Sequence, residues 1–304
     1  MSRLSGLVNR NLIVAGILLM LAGDFMFALN DAMGKWLVAS FSVGQVVFVR
    51  SVGAFIILGP MIARQGAARL FNLDRIGLQI ARVVATALDT LLFYAAVVHL
   101  PLADVMSFYM AGPIYVAALS HMFLGEKVGW RRWLAITIGF CGVLVMLKPS
   151  TAALSIESLY ALIGSISFAV AIVLSRLLRG TSDTALVTWQ TIGVGLCGGI
   201  MAIGEWHHAA PVDYGAMLLL GVVSGAAHLM ITRALKMAPA STLAPLHYTL
   251  LLWAVVFGIL FFNDIPGPRI LIGAAIVVLA GLFIFHRQNV KDTVPPENVP
   301  KGVN

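Results

Sequence analysis

Charge is what this chain has least of. Only 11% of its 304 residues are Asp, Glu, Lys or Arg, against 60% that are hydrophobic, whereas soluble domains carry about 25% charged residues. With a mean hydropathy of +0.95, the chain lacks the polar surface that a water-soluble fold of this length requires, and that class is excluded. Cysteine is nearly absent. Cys141 and Cys197 both fall inside apolar runs without metal-ligand spacing, which excludes a disulfide framework and a thiolate metal centre; no metal and no cofactor are expected. Also missing are a His-Glu-x-x-His zinc motif, a Gly-x-Ser-x-Gly elbow and a phosphate loop. Polar residues are instead scattered over many apolar segments, one or two apiece, a distribution that fits a solute pathway better than a compact catalytic constellation. The net charge of +7 does not point to nucleic acid, because the basic residues sit in short loops between apolar runs, where membrane orientation explains them.

What is present is a series of ten apolar segments, each near the ~20 residues needed to cross a bilayer. They run over 12–38, 43–63, 76–98, 102–124, 131–148, 157–177, 184–204, 213–234, 240–262 and 268–286. The expected fold is an all-α polytopic membrane protein. MSRLSGLVNR, with no small-residue cleavage site before the first long helix, reads as a cytoplasmic tail over residues 1–11. The segment 149–156 reads as a linker, and 287–304 as a second cytoplasmic tail with Pro295-Pro296 inside it. With the N-terminus inside, fifteen lysines and arginines fall on the cytoplasmic side and only Lys35, Lys148 and Arg269 on the other, which orients the chain under the positive-inside rule. Trp36, Trp130, Trp133, Trp206, Tyr160 and Tyr214 fall near span ends, as an interfacial belt requires.

The stretch from Tyr94 to Gly129 has a second copy 138 residues on. At that offset Pro101 meets Pro239, Phe123 meets Phe261, Glu126 meets Asp264, Gly129 meets Gly267 and Arg131 meets Arg269. The matches include Pro, Gly and charged positions that a Leu/Val-rich composition would not align by itself. Two halves of five spans, 12–148 and 157–286, must enter the membrane in opposite senses because five is odd. That is an inverted-topology repeat, an architecture suited to alternating access.

ALNDAMGKWL in span one, VFVRSVGAFIIL in span two and LLFYAAVVHLPLADV across spans three and four resemble the drug/metabolite transporter superfamily, in its ten-span EamA-type form. GPIYVAALSHMFLGEKVGWRRWLAITIGFCGVLVM extends the likeness, and FFNDIPG stands where that family more often has a Gly-Glu pair. Within the family the chain is most similar to the YddG-type amino-acid exporters of bacterial inner membranes. The resemblance implies a central cavity surrounded by spans one, three, four, six, eight and nine. It also implies a small-molecule substrate of the amino-acid or related-metabolite class, lipid as the surrounding partner, protons as a candidate coupling ion and a functional monomer. Exporters of drugs or other metabolites in the same fold, and an intramembrane enzyme on lipid-linked substrates, are the alternatives.

Candidate site residues are the polar groups within spans, where a charge costs roughly 2.5–3.5 kcal/mol and turns toward a partner or a watery cavity. On span one, Asp24, Ala28, Asp31 and Lys35 share a helical face; Asp31 and Lys35 can pair at i,i+4, Asp24 is deeper, and Asn30 lies between. On span three, Arg82 and Asp89 are about 10 Å apart along one face, too far for a direct salt bridge, so Arg50 of span two is the candidate partner for Asp89. Arg50 and Arg82 have two roles open to them, fixing helix packing or meeting a substrate carboxylate. Tyr94, Tyr109, Trp189, Tyr248, His228 and His247 complete the candidate substrate-binding set, together suiting a cavity for apolar or aromatic amino acids. Gly195/Gly199 and Gly221/Gly225 make small-xxx-small patterns that read as packing devices. Pro113 and Pro245 lie inside spans, where each frees a backbone carbonyl and permits bending. As hinges, both are expected to alter substrate flux far more than membrane insertion when replaced by Ala, and unchanged flux in vesicles would remove that role.

Overall fold

A computed structural model describes residues 2–71, 73, 75–124, 155–238 and 243–265, together with isolated positions between 130 and 145 and between 267 and 279. The expected spans 131–148 and 268–286, the linker up to residue 154 and the tail from 287 lie outside the described residues, those isolated positions aside. The described residues form helices and short turns, with no strand among them. The helices are α1 (Ser2–Val38), α2 (Val43–Gln65), α3 (Ile76–Val97), α4 (Leu102–Tyr109), α5 (Gly112–Leu124), α6 (Ile156–Leu177), α7 (Asp183–Met201), α8 (Pro211–Met237) and α9 (Tyr248–Phe262). Of these, α2, α3, α6, α7, α8 and the Leu12–Val38 part of α1 are long and apolar enough to cross a membrane.

Helix starts are written locally. Ser42, Ser155 and Ser182 accept from the backbone N–H of Gln45, Ser158 and Ala185, capping α2, α6 and α7. Pro211 opens α8, and Asp213 reaches back to accept from the Ala210 N–H. Two ends are equally explicit: Gly66 (φ 85°) follows α2 and Asn263 (φ 56°) follows α9, both in backbone conformations with positive φ.

Two expected spans differ from a single helix. Span four divides at Met110–Ala111 into α4 and α5, with Pro113 the second residue of α5. Span nine opens as a 3₁₀ turn, Ala244–His247, that contains Pro245 and precedes α9. A proline cannot complete the regular ladder, so the breaks fall where the ring does. At the N-terminus, α1 begins at Ser2, and the segment expected as a tail continues the first helix.

Alongside an apolar core, the helices bury polar groups and turn large apolar residues outward, which a soluble bundle does not do. On α3, Gln79, Arg82, Thr86, Asp89 and Thr90 are buried, whereas Ile80, Val84 and Leu88 are exposed. Such an outer face needs hydrocarbon around it. Helix α1 packs on α8 as α3 packs on α6; α2 packs on α8 as α3 packs on α7; α1 packs on α9 as α4 and α5 pack on α6. The pairings map onto themselves when α1, α2, α3 and α4/α5 are exchanged with α6, α7, α8 and α9.

Glycines set the closest approaches. A Cβ on Gly221 would lie 1.9 Å from the carbonyl oxygen of Arg50, and one on Gly53 2.2 Å from that of Leu218, so α2 and α8 touch backbone to backbone. Gly195 and Gly199 likewise face Ser51 and Phe48 of α2. Gly221→Ala is expected to destabilise the protein by about 1–3 kcal/mol, seen as a lower melting temperature in detergent. Gly215→Ala, on the same helix with nothing within 4 Å of its would-be Cβ, should leave melting unchanged or raise it, since Ala is the better helix former.

Candidate functional site

The centre of the bundle holds a cavity of about 30 Å³, enough for a water or two. Helix α1 contributes Phe27, Asn30 and Asp31; α2 contributes Arg50; and α3 contributes Asp89, Thr90, Phe93 and Tyr94. Met106 and Tyr109 come from α4, Phe168 from α6, His228 from α8 and Leu250 from α9. Spans one, three, four, six, eight and nine all reach this cavity, and span two joins them through Arg50.

A hydrogen-bond network organises the polar wall. Arg50 Nη1 donates to Asn30 Oδ1 at 3.1 Å and to Tyr94 Oη at 3.0 Å, with its guanidinium 5.3 Å from the centre of the Tyr94 ring. Asn30 Nδ2 donates to Asp31 Oδ1 at 2.9 Å and lies 3.3 Å from Tyr94 Oη. Across the cavity, Tyr109 Oη donates to Asp89 Oδ1 at 2.7 Å. Gly34 is what admits the Tyr94 ring against α1, because a Cβ there would overlap its atoms at 2.2–2.6 Å. Gly164 likewise leaves room for the Tyr109 hydroxyl. The apolar wall is aromatic: Phe93 stands edge-on to Tyr94 and Tyr109, and Phe27 edge-on to His228 at 4.9 Å.

Of the candidates named from sequence, Asn30, Asp89, Tyr94, Tyr109 and His228 meet in this cavity. Asp24 and His247 form a separate buried pair, with Asp24 Oδ1 2.9 Å from His247 Nδ1. Arg82 is spent on packing: Nε donates to Ser175 Oγ (2.6 Å), Nη1 to the Leu186 carbonyl (2.9 Å) and Nη2 to Gln190 Oε1 (2.7 Å), tying α3 to α6 and α7. Trp189 donates to the Leu70 carbonyl and stacks edge-on with Phe71, fastening a surface turn away from the cavity. The side chains of Tyr248, Pro113 and Pro245 lie outside what the structure describes.

Two pairings differ from the sequence expectation. Lys35 bonds Asp264 at 2.7 Å over the Phe262 ring, rather than Asp31 one turn away. Asp31 is turned inward onto Asn30. Asp89 takes its hydrogen bond from Tyr109 rather than from Arg50, whose Nη1 is held by Asn30 and Tyr94. Arg50, for which the sequence leaves packing and a substrate carboxylate both open, and Asp31, read as a partner for Lys35, are cavity residues outside the named substrate set; their signal is depth within an apolar run.

A membrane-spanning helical bundle with a guanidinium, carboxyl groups and aromatic faces around a central cavity suits a solute transporter. The chain is a member of the EamA-like transporter family, of the drug/metabolite transporter superfamily, whose model matches residues 14–148 and again 155–286. It is 25% identical over 264 residues to an S-adenosylmethionine uptake transporter of Rickettsia prowazekii, covering 86% of this chain and 89% of that protein. It is 24% identical over 299 residues to a riboflavin transporter of Rhizobium johnstonii, covering 97% and 99%. A third relative, the pseudopaline exporter CntI of Pseudomonas aeruginosa, is 26% identical over 275 residues, covering 89% and 95%. A solved crystal structure superposes with a TM-score of 0.69 at 14% identity, over 90% of this chain and 98% of the other, a likeness of fold. None of these three relatives is named for amino acids, and their names include both uptake and export.

Tyr94→Phe keeps the ring but removes the oxygen that Arg50 and Asn30 approach. It is expected to lower stability by roughly the 1–3 kcal/mol of a buried donor left without its acceptor, and to lower transport per folded molecule. Arg82→Gln should lower the melting temperature as well, because α3 loses its bonds to α6 and α7, but leave transport per folded molecule unchanged; melting curves in detergent and flux normalised to folded protein in vesicles separate the two.

Proposed function

We propose that this transporter moves amino acids, those with hydrophobic or aromatic side chains foremost, outward across a bacterial inner membrane by alternating access. The observation that carries the reading is the chemistry of the central cavity. Arg50 offers a guanidinium suited to a carboxylate, Asp31 and Asp89 offer carboxylates suited to an ammonium, and Phe27, Phe93 and Phe168 offer flat apolar surface. An α-amino acid carries all three complements. Alternating access fits a helix arrangement that exchanges its pairings between two halves, read as five-helix repeats over 12–148 and 157–286 in opposite orientation. The lysine and arginine distribution supports cytoplasmic termini, and the bacterial sources of the relatives support an inner-membrane setting.

A second reading, export or uptake of a larger metabolite in the same cavity, is favoured by the relatives' names. Counterflow in proteoliposomes separates the two, using each of the twenty amino acids beside S-adenosylmethionine and riboflavin. Trans-stimulated uptake of a hydrophobic or aromatic amino acid is expected; uptake of the larger solutes alone would sink the amino-acid reading. With the amino acid as cargo, Arg50→Lys is expected to cut flux about ten- to hundredfold, the effect of losing a charge-assisted hydrogen bond of ~1.5–3 kcal/mol, because an ammonium cannot reproduce the planar fork.

A further inference from the structure

We infer that the Asp24–His247 pair is a proton-binding site, separate from the substrate cavity, through which proton movement is coupled to the helix break before α9. The inference rests on the transport reading but assigns it a site. Asp24 is fully buried at the middle of α1, and His247, 5% exposed, ends the 3₁₀ turn that opens the ninth span. Their Oδ1 and Nδ1 are 2.9 Å apart, and Thr249 Oγ1 lies 3.3 Å from Asp24 Oδ2 while donating to the Leu246 carbonyl at 2.7 Å. A carboxylate on Nδ1 holds the proton there in the neutral ring and leaves Nε2 as the basic nitrogen. That Nε2 is buried without a hydrogen-bond partner among the described residues.

An ionised Asp24 beside a neutral His247 places one uncompensated negative charge in the membrane interior. One proton on Nε2 makes the pair net neutral and removes the uncompensated buried charge. The proton enters from one aqueous side and leaves to the other, and no other bond is made or broken. The titratable groups around the pair are few. From α1 it is met by Asp24 itself. Helix α6 presents Phe168, edge-on to the His247 ring at 5.5 Å, which carries no charge. From α9 it is met by Thr249. His228 of α8 lies beyond Phe27, against whose ring it packs. On α5, packed against the same turn, Tyr115 is the titratable residue whose side chain is described.

Two features connect the pair to the cavity. Phe168 touches His247 on one side and lines the cavity on the other, against Tyr109. His247 also belongs to the turn that contains Pro245, so a change of charge acts on the backbone segment expected to bend. Asp24 is here a positioning residue, fixing the ring and its tautomer.

Two measurements test the site. Nitrogen-15 NMR of histidine-labelled protein in detergent, with His247→Gln to assign the signal, reads the ring without any substrate. The expected result is an Nδ1–H tautomer that gains a proton on Nε2 within about pH 5 to 9, and that loses its tautomer preference in Asp24→Asn. A ring whose protonation does not change over that range would overturn the proposal. In proteoliposomes, the ratio of pH-gradient-driven flux to equilibrium exchange of the counterflow substrate is expected to fall about tenfold or more in His247→Gln. An unchanged ratio in His247→Gln, or a loss seen only in His228→Gln, would overturn it as well. Failure of amino acids to exchange in the unaltered protein would bear on the cargo alone and leave the NMR result standing.

Discussion

A guanidinium that stays charged in the middle of a membrane bundle has to be satisfied by its neighbours, and the centre of this protein is built on meeting that demand for Arg50. Its Nη1 is shared between Asn30 of α1 and Tyr94 of α3, and its guanidinium lies near the Tyr94 ring. Its backbone is held against α8 by the missing side chain of Gly221. One residue thereby ties four helices into a common register. In a medium without water, each of these contacts matters because the alternative is an unpaired buried group. The same residue gives the cavity its guanidinium, and Asp31 and Asp89 give it carboxyl groups. The packing role and the proposed ligand-facing role are thus one arrangement seen from two sides.

Much of the fold is legible in the chain because lipid imposes a coarse rule. Spans of about 20 apolar residues marked five helices to within a few residues of both observed ends, and α1 at its C-terminal end. Serine caps and the leading Pro211 mark starts by purely local chemistry. The breaks in spans four and nine are also local, since Pro113 and Pro245 stand at them. The candidate site was legible only in part. Depth in an apolar run gathered Asn30, Asp89, Tyr94, Tyr109 and His228, which line one cavity, because a polar group there has nowhere to go but inward.

Which polar group meets which was not legible. Helical spacing offers Asp31 to Lys35, yet Lys35 finds Asp264, 229 residues away. Asp24 finds His247 at a separation of 223, and Arg82 is consumed by residues on two other helices. These partners are fixed by which faces the packing of α1 on α8 and α9, and of α3 on α6 and α7, brings together. No local pattern in a single sequence carries that information.

The glycine contacts have a mechanical side. Helix α2 interlocks with α7 and with α8 at distances where sliding would drive backbone into backbone. Such a block resists shear and behaves as a chassis. Helices α4, α5 and α9 share no such interlock with their neighbours among the described residues, and they are the ones interrupted at turns. On the alternating-access reading proposed above, deformation of least cost runs through those interrupted rods, the pieces that were never continuous.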